Sequence, residues 1–254
     1  MITIKTDYEF CFDQPDYQIH VADIHNNHND NTQVILKSLK LNCSAGQDNH
    51  SDQAFVQESV EKLQKDKVNC LDLGCAGGQL ILDYNKSPST NICVGIDGSC
   101  GVYKQQNWKD DENKKILKHA DLTKPFSVLK DKQEVKFDII SCWEVIEHFE
   151  QRELDVFFTN VSNHLAKNGL FFGSIALFED TRDSDGFYQK PTKSLPAHPQ
   201  YNPTDAQFKL HKTVFDNPEE WDKILVNYFQ VLNYDFKIKP RNDSNSYYFM
   251  CKHP

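Results

Sequence analysis

Apolar residues change their spacing along this chain. Up to about Lys67 they are sparse and set among His and Asn, as in His25-Asn26-Asn27-His28-Asn29-Asp30-Asn31, with short apolar pieces such as Val34-Ile35-Leu36. The His/Asn run lacks metal-ligand spacing and reads as a solvated loop. Phe55, Val56, Val60 and Leu63 then share one stripe, which predicts a helix over 51–65. After Lys67 short apolar runs alternate with amphipathic stretches, the pattern of a mainly parallel sheet with helices on both faces. Strands are predicted at 68–73, 91–96, 117–120, 137–142 and 170–177, and a helix begins at Gln79. Another helix is predicted over 151–167, with Leu154, Phe157, Phe158, Val161 and Leu165 on one face and Asn168-Gly169 as its C-terminal cap.

Residues 178–210 break the rhythm with Pro191, Pro196, Pro199 and Pro203, and an insertion of this length is expected to be a lid or substrate loop. Asn217-Pro218-Glu219-Glu220 then starts a helix, with Asn217 as cap and Glu220 closing a capping box. Two last strands are predicted at 229–236 and 246–251.

Composition narrows the function classes. A chain of 254 residues fits one large domain or two small ones. Its net charge of −9 argues against a general binder of nucleic acid or anionic membrane, which needs a basic face. No run approaches the roughly 20 apolar residues of a membrane span, and Asp7, Glu9 and Asp13 stand where a signal peptide would be apolar. A soluble, cytoplasmic protein with no membrane partner is expected. The eight cysteines have no C-x-x-C spacing and mostly lie in apolar runs, so free buried thiols are expected rather than disulfides or zinc ligands.

The most informative segment is Leu71-Asp72-Leu73-Gly74-Cys75-Ala76-Gly77-Gly78, a glycine-rich turn between a strand and a helix. Such a turn lets backbone N–H groups approach a ligand. A dinucleotide fingerprint counted from Gly74 needs glycine at 76 and 79, where the chain has Ala76 and Gln79, and the Gly-Lys-Ser/Thr of a phosphate loop is absent. Asp72 at the strand end repels a diphosphate and attracts an ammonium group, such as that of S-adenosylmethionine. Asp97, about 20 residues on at the end of the second strand, is placed to accept from ribose hydroxyls. Asp121 follows the third strand, where a carboxylate accepts from an adenine amino group. The fourth leads into Ser141-Cys142-Trp143-Glu144-Val145-Ile146-Glu147-His148.

The succession D-L-G-C-A-G-G, V-G-I-D-G-S, H-A-D-L, F-D-I-I-S-C-W-E-V-I-E-H and L-F-F-G-S-I resembles the class I S-adenosylmethionine-dependent methyltransferases, in the methyltransferase type 11/12/23 group, over about residues 55–251. The resemblance implies a doubly wound, Rossmann-like α/β fold: a seven-stranded mainly parallel sheet with an antiparallel last strand and helices on both faces. Residues 55–254 would form the catalytic domain, with the 178–210 lid inserted, and 1–54 a polar extension or cap. It further implies that Asp72, Gly74 and Cys75 line the methionine end of S-adenosylmethionine and that Asp97 holds the ribose. Asp121 and Leu122 would flank adenine, Cys142 and Trp143 would sit beside the sulfonium, and Gly98 and Trp108 are further adenine-side candidates. The family commonly has glycine where this chain has Ala76, and tighter packing without loss of binding is expected there.

Methyl transfer requires an aligned nucleophile and, for a hydroxyl, removal of its proton. The spacing of Glu144, Glu147 and His148 places them on one helical face. His148 is a candidate general base and Glu144 a catalytic candidate, against a structural role in capping the helix and bracing the sheet. His211, after the insertion, is a second base or ligand candidate. Glu144, Glu147, His148 and His211 would be the ligands if a divalent metal is used, as in the ubiquinone-pathway and small-RNA 2'-O-methyltransferases that this segment resembles. The leading expectation is methyl transfer to a hydroxyl of a sugar or small metabolite. The alternatives are a metal-dependent RNA 2'-O-methyltransferase, which the acidic charge disfavours, and a non-catalytic cofactor-binding module.

Overall fold

The structure is a computed structural model that describes residues 1–7, 53–98, 102, 106–177, 181–182, 208–209, 211–215, 217–238 and 246–253. In chain order the elements are β1 (Ile2–Lys5), α1 (Gln53–Glu61), β2 (Val68–Leu73), α2 (Gln79–Lys86), β3 (Thr90–Asp97), α3 (Gln106–Lys109), β4 (Leu117–His119), β5 (Ser127–Lys130), β6 (Gln133–Glu134), β7 (Phe137–Trp143), α4 (Leu154–His164), β8 (Leu165–Ala176), β9 (Thr181–Arg182), β10 (Phe208–Lys209), α5 (Pro218–Leu225), β11 (Gln230–Leu232) and β12 (Ser246–Lys252).

The central sheet has the order β11-β12-β8-β7-β2-β3-β4. Strands β4, β3, β2, β7 and β8 are mutually parallel, and β12 runs antiparallel between β8 and β11. This is the expected doubly wound seven-stranded arrangement, with the order reversing between β2 and β7, the place where such sheets bind ligands beyond their carboxyl ends. Strand side chains alternate between two core layers. Leu71, Leu73, Ile140, Cys142 and Phe171 face the layer that holds Phe157, Phe158 and Trp221, while Cys70, Ile139, Trp143 and Phe172 face the layer that holds Phe55, Ile81 and Trp108.

Several boundaries differ from the sequence expectation for tertiary reasons. The helix over 151–167 begins with a tighter turn, Gln151–Glu153, capped reciprocally by Glu150 and Glu153, and it ends at His164. Leu165 is already buried and in register with Phe137, so pairing to β7 takes the chain before the expected cap. Asn168 does adopt a left-handed conformation (φ 64), but within the start of β8, where the register against β7 shifts. The Asn217 cap is present, its side chain accepting from the Glu219 N–H at 2.9 Å. Glu220 pairs with Lys223 instead of closing a box, and the strand over 229–236 shortens to β11.

The sequence reading missed the small antiparallel sheet β1-β5-β6. Its hairpin turns at Asp131 and Lys132, both with positive φ (51 and 71), a conformation normally announced by Asn-Gly or Asp-Gly. Cys70, Cys75, Cys93, Cys142 and Cys251 are free and buried, as expected; Cys11, Cys43 and Cys100 lie outside the described residues. Most of the 1–54 extension and of the 178–210 insertion also lie outside them. Of the insertion, β9 and β10 are described, and they pair antiparallel with Phe208 opposite Arg182. Among the described residues no helix is long and apolar enough to cross a membrane.

The α4 end is locked by His164, which is buried and stacked on Phe126. The Val128 N–H donates to its Nε2 at 3.0 Å, so Nδ1 carries the proton and donates to the Asn160 carbonyl at 2.7 Å. Burial pushes the His164 pKa down and the Lys136 charge adds to this, against the Asn160 hydrogen bond and the Glu134 charge. A folded-state pKa below the unfolded value of about 6.5 means stability that is full above pH 6.5 and is lost as pH falls through the folded pKa. The urea midpoint should therefore drop between pH 7.5 and pH 5.5, and His164→Gln should flatten that slope. An unchanged slope in the variant would assign the pH dependence elsewhere.

Candidate active site

At the carboxyl end of β2 the chain turns through Gly74 (φ 72), Ala76 (φ 45) and Gly78 (φ 80) into α2. Close packing demands glycine at two of these positions, besides the backbone angle. A Cβ on Gly74 would stand 2.2 Å from Val145 Cγ2, and one on Gly78 2.7 Å from Leu117 Cδ2. The turn is tied to β3 by the Gly74 and Cys75 N–H groups, which donate to the Ile96 carbonyl at 2.8 and 3.1 Å. Ala76 donates its N–H to Asp97 Oδ2 at 2.8 Å and accepts from Trp108 Nε1 at 2.8 Å. Asn107 Nδ2 donates to the Gly77 carbonyl at 2.8 Å.

Two buried carboxylates flank this turn. Asp97 ends β3, and Asp72, one strand over, accepts from Ser141 Oγ at 2.7 Å, the residue in register with it on β7. Together they give the edge between β2, β3 and β7 a negative character, suited to a cationic ligand with hydroxyls.

The other expected cofactor residues divide between backbone and side-chain positions. Cys75 turns its sulfur inward, where it would meet a Cβ on Gly95 at 2.9 Å, so it offers the edge only its backbone. Burial, with Asp97 and Asp72 nearby, pushes its pKa well up and keeps the thiol protonated. Cys142 and Trp143 point into opposite core layers. The Trp143 ring packs edge-on against Phe55, with centroids 5.5 Å apart, and its buried Nε1 has no hydrogen-bond partner among the described residues. Asp121 Oδ1 accepts from the N–H and hydroxyl of Thr123 at 2.9 and 2.7 Å, while Leu122 belongs to the core. Gly98 directly follows β3. Trp108 is a core aromatic that also braces the turn.

The segment after β7 corrects one expectation. Glu144, Glu147 and His148 do not share a helical face, because Glu144 takes a left-handed conformation (φ 53) and only Ile146–His148 forms a single tight turn. Glu144 is instead drawn to β8: its N–H donates to the Ser174 carbonyl at 2.9 Å and its Oε1 accepts from Ser174 Oγ at 2.7 Å.

Glu147 is fully buried and works as a clasp. Its Oε1 accepts from the Ala176 N–H at 3.2 Å, and its carbonyl accepts from the Lys212 and Thr213 N–H groups at 2.7 and 3.1 Å. Thr213 Oγ1 adds a bond to the Phe149 carbonyl at 2.7 Å. These contacts set His211 against His148, rings 4.9 Å apart and inclined by 70°. One donor atom each from Glu147, His148 and His211 lies within 4.8 Å of the others. Two imidazoles and a carboxylate so arranged can move a proton or ligate a divalent cation.

The sequence reading missed Ser141, Ser174 and Asn107 as partners of Asp72, Glu144 and the turn. The two serines carried a signal, since each interrupts an apolar run, at 139–143 and 170–176. Asn107 carried none.

A family model described as a methyltransferase domain matches residues 48–207. No curated protein matches the chain. Among solved structures, an S-adenosylmethionine-dependent methyltransferase from Clostridium acetobutylicum superposes with a TM-score of 0.56 at 14% identity, covering 89% of this chain and 98% of that one. The glycopeptide N-methyltransferase MtfA complexed with sinefungin gives a TM-score of 0.51 at 13% identity, covering 81% of this chain and 95% of that one. Its complex with S-adenosyl-L-homocysteine gives 0.51 at 13% identity, covering 89% and 98%. At these identities the likeness is one of fold.

Gly74→Ala should destabilise the protein by about 2–4 kcal/mol, from the left-handed backbone and the collision with Val145. Since Val145 supplies the collision, adding Val145→Ala should restore part of the urea midpoint. A double variant no more stable than Gly74→Ala would refute this origin.

Proposed function

Because the chain belongs to the methyltransferase-domain family, we propose that its sheet edge seats S-adenosylmethionine and directs the methyl group to a hydroxyl of a small polar acceptor, a sugar or similar metabolite. The residues present suit that cofactor. The left-handed turn at 74–78 offers close backbone approach, Asp72 attracts the ammonium group, and Asp97 accepts from the ribose hydroxyls. Gly98, Asp121 and Leu122 stand on the adenine side, and the backbone of Cys142 and Trp143 borders the sulfonium. When bound, the cofactor supplies a methyl group on a positively charged sulfur, open to in-line attack.

The chain's own tasks are then to orient the acceptor and take its proton. The observation that carries the hydroxyl reading is the cluster of Glu147 and His148, just after β7, with His211, which gathers a proton acceptor beyond that strand. His148, partly exposed, is the general base; His211, buried beside it, and Glu147 hold it in place. Glu144, pinned by Ser174 beside the β7 end, accepts a hydrogen bond from the acceptor. In this reading 55–254 is the catalytic domain. The net charge of −9 favours a small cytoplasmic acceptor over nucleic acid.

The same donor set supports a second reading, in which Glu147, His148 and His211 hold a divalent cation that lowers the acceptor's pKa. Glu144, engaged with Ser174, stands outside that donor set.

Both readings are separated by assaying turnover with labelled S-adenosylmethionine against pools of sugars, phenols, amines and RNA. His148→Ala and His211→Ala should each bind S-adenosylhomocysteine normally in calorimetry and lose at least about 100-fold in turnover. Full turnover in His148→Ala removes the base assignment. Loss of turnover on dialysis against a chelator, restored by manganese or zinc, decides for the cation. No cofactor binding at millimolar concentration rejects the enzyme reading altogether.

A further inference from the structure

Ala76 holds a backbone conformation (φ 45) that glycine adopts freely and that disfavours alanine by roughly 5- to 30-fold. The other two left-handed positions of the turn, 74 and 78, are glycines. Something must therefore keep residue 76 from relaxing, and its backbone is gripped on both sides. Its N–H donates to Asp97 Oδ2 and its carbonyl accepts from Trp108 Nε1, each at 2.8 Å. The next carbonyl, of Gly77, accepts from Asn107 Nδ2 at 2.8 Å. Trp108 is only 3% exposed and lies in the core layer with Ile81 and Leu117, so its indole cannot swing away without opening that layer. Asn113 Nδ2 in turn donates to the Asn107 carbonyl at 3.2 Å, fixing α3 to the segment that follows it.

We propose that Asn107 and Trp108 are positioning residues for the cofactor turn: α3 holds Ala76 in the left-handed state by tether, where glycine at 76 would reach it by freedom. The proposal rests on the reading of this turn as the cofactor seat. It gives the departure from glycine at 76 a physical counterpart elsewhere in the chain. It also ties the turn to Asp97, because an Ala76 that relaxed would withdraw its N–H from that carboxylate. A core aromatic that merely filled space would be replaced by phenylalanine at equal cost whatever residue stood at 76.

A double-mutant cycle tests this. S-adenosylhomocysteine affinity is measured by calorimetry, and amide exchange at residues 74–78 is followed without ligand, in the unchanged chain, Trp108→Phe, Ala76→Gly and the double variant. Trp108→Phe should weaken binding about ten-fold when alanine stands at 76 and less than about three-fold when glycine does. Exchange at the Ala76 amide should quicken by a similar factor only in the alanine chain. Equal losses in both backgrounds overturn the proposal. Asn107→Ala, which removes a partly exposed side chain and leaves the core intact, should repeat the pattern with a smaller effect; it decides the matter if Trp108→Phe does not fold. If the unchanged protein binds no S-adenosylhomocysteine while the exchange coupling persists, the tether stands and the cofactor reading falls. Absence of coupling in exchange as well as binding removes the tether.

Discussion

A carboxylate taken out of water must be fully engaged, because an unpartnered buried charge costs more than most single contacts return. Glu147 is fully buried, and its side chain and backbone between them join three parts of the chain. Its side chain binds the end of β8 at Ala176, its carbonyl binds the segment at Lys212 and Thr213, and its own turn follows β7 directly. The segment it captures is the one that re-emerges from the long insertion. His211 therefore reaches the site because the backbone that directly follows it, at Lys212 and Thr213, is held by Glu147. The two histidines meet as a consequence of that clasp.

The neighbouring half of the site is built from a different constraint. Parallel strands end their hydrogen bonding at one edge, and the chain must leave β2, β3 and β7 there through turns that pack tightly. Val145 fills the space that a Cβ on Gly74 would take, so the turn after β2 and the segment after β7 constrain each other's backbone. Ser141 joins Asp72 across the same two strands. The glycine turn with Asp72 and the segment that leads to His148 are thus tied together at one sheet edge. Methyl transfer depends on alignment more than on strong acid or base chemistry, and such a frame supplies alignment.

Much of this was legible in the chain. The alternation of apolar runs and amphipathic helices gave four of the five central parallel strands nearly to the residue, and the glycine turn, Asp72 and Asp97 fell where expected. What failed did so where tertiary contacts outweighed local pattern. α4 stops at His164 because Leu165 pairs with β7 and His164 is held by Val128, although the sequence offers a better cap at Asn168-Gly169. The β5–β6 hairpin turns on Asp131-Lys132, which has no glycine to announce it.

The sequence by itself determined the sheet, its layering and the acidic strand ends, because those follow from periodicity and from residue types that only one environment suits. It also named Glu144, Glu147, His148 and His211, but it could not say which of them meet. Helical spacing grouped Glu144 with Glu147 and His148, whereas the left-handed backbone at Glu144 sends it to Ser174. His211, 63 residues beyond His148, joins the cluster instead. Only the tertiary structure decided that exchange, because the left-handed Glu144 and the backbone carbonyl of Glu147 take partners far along the chain, and local spacing carries no record of them.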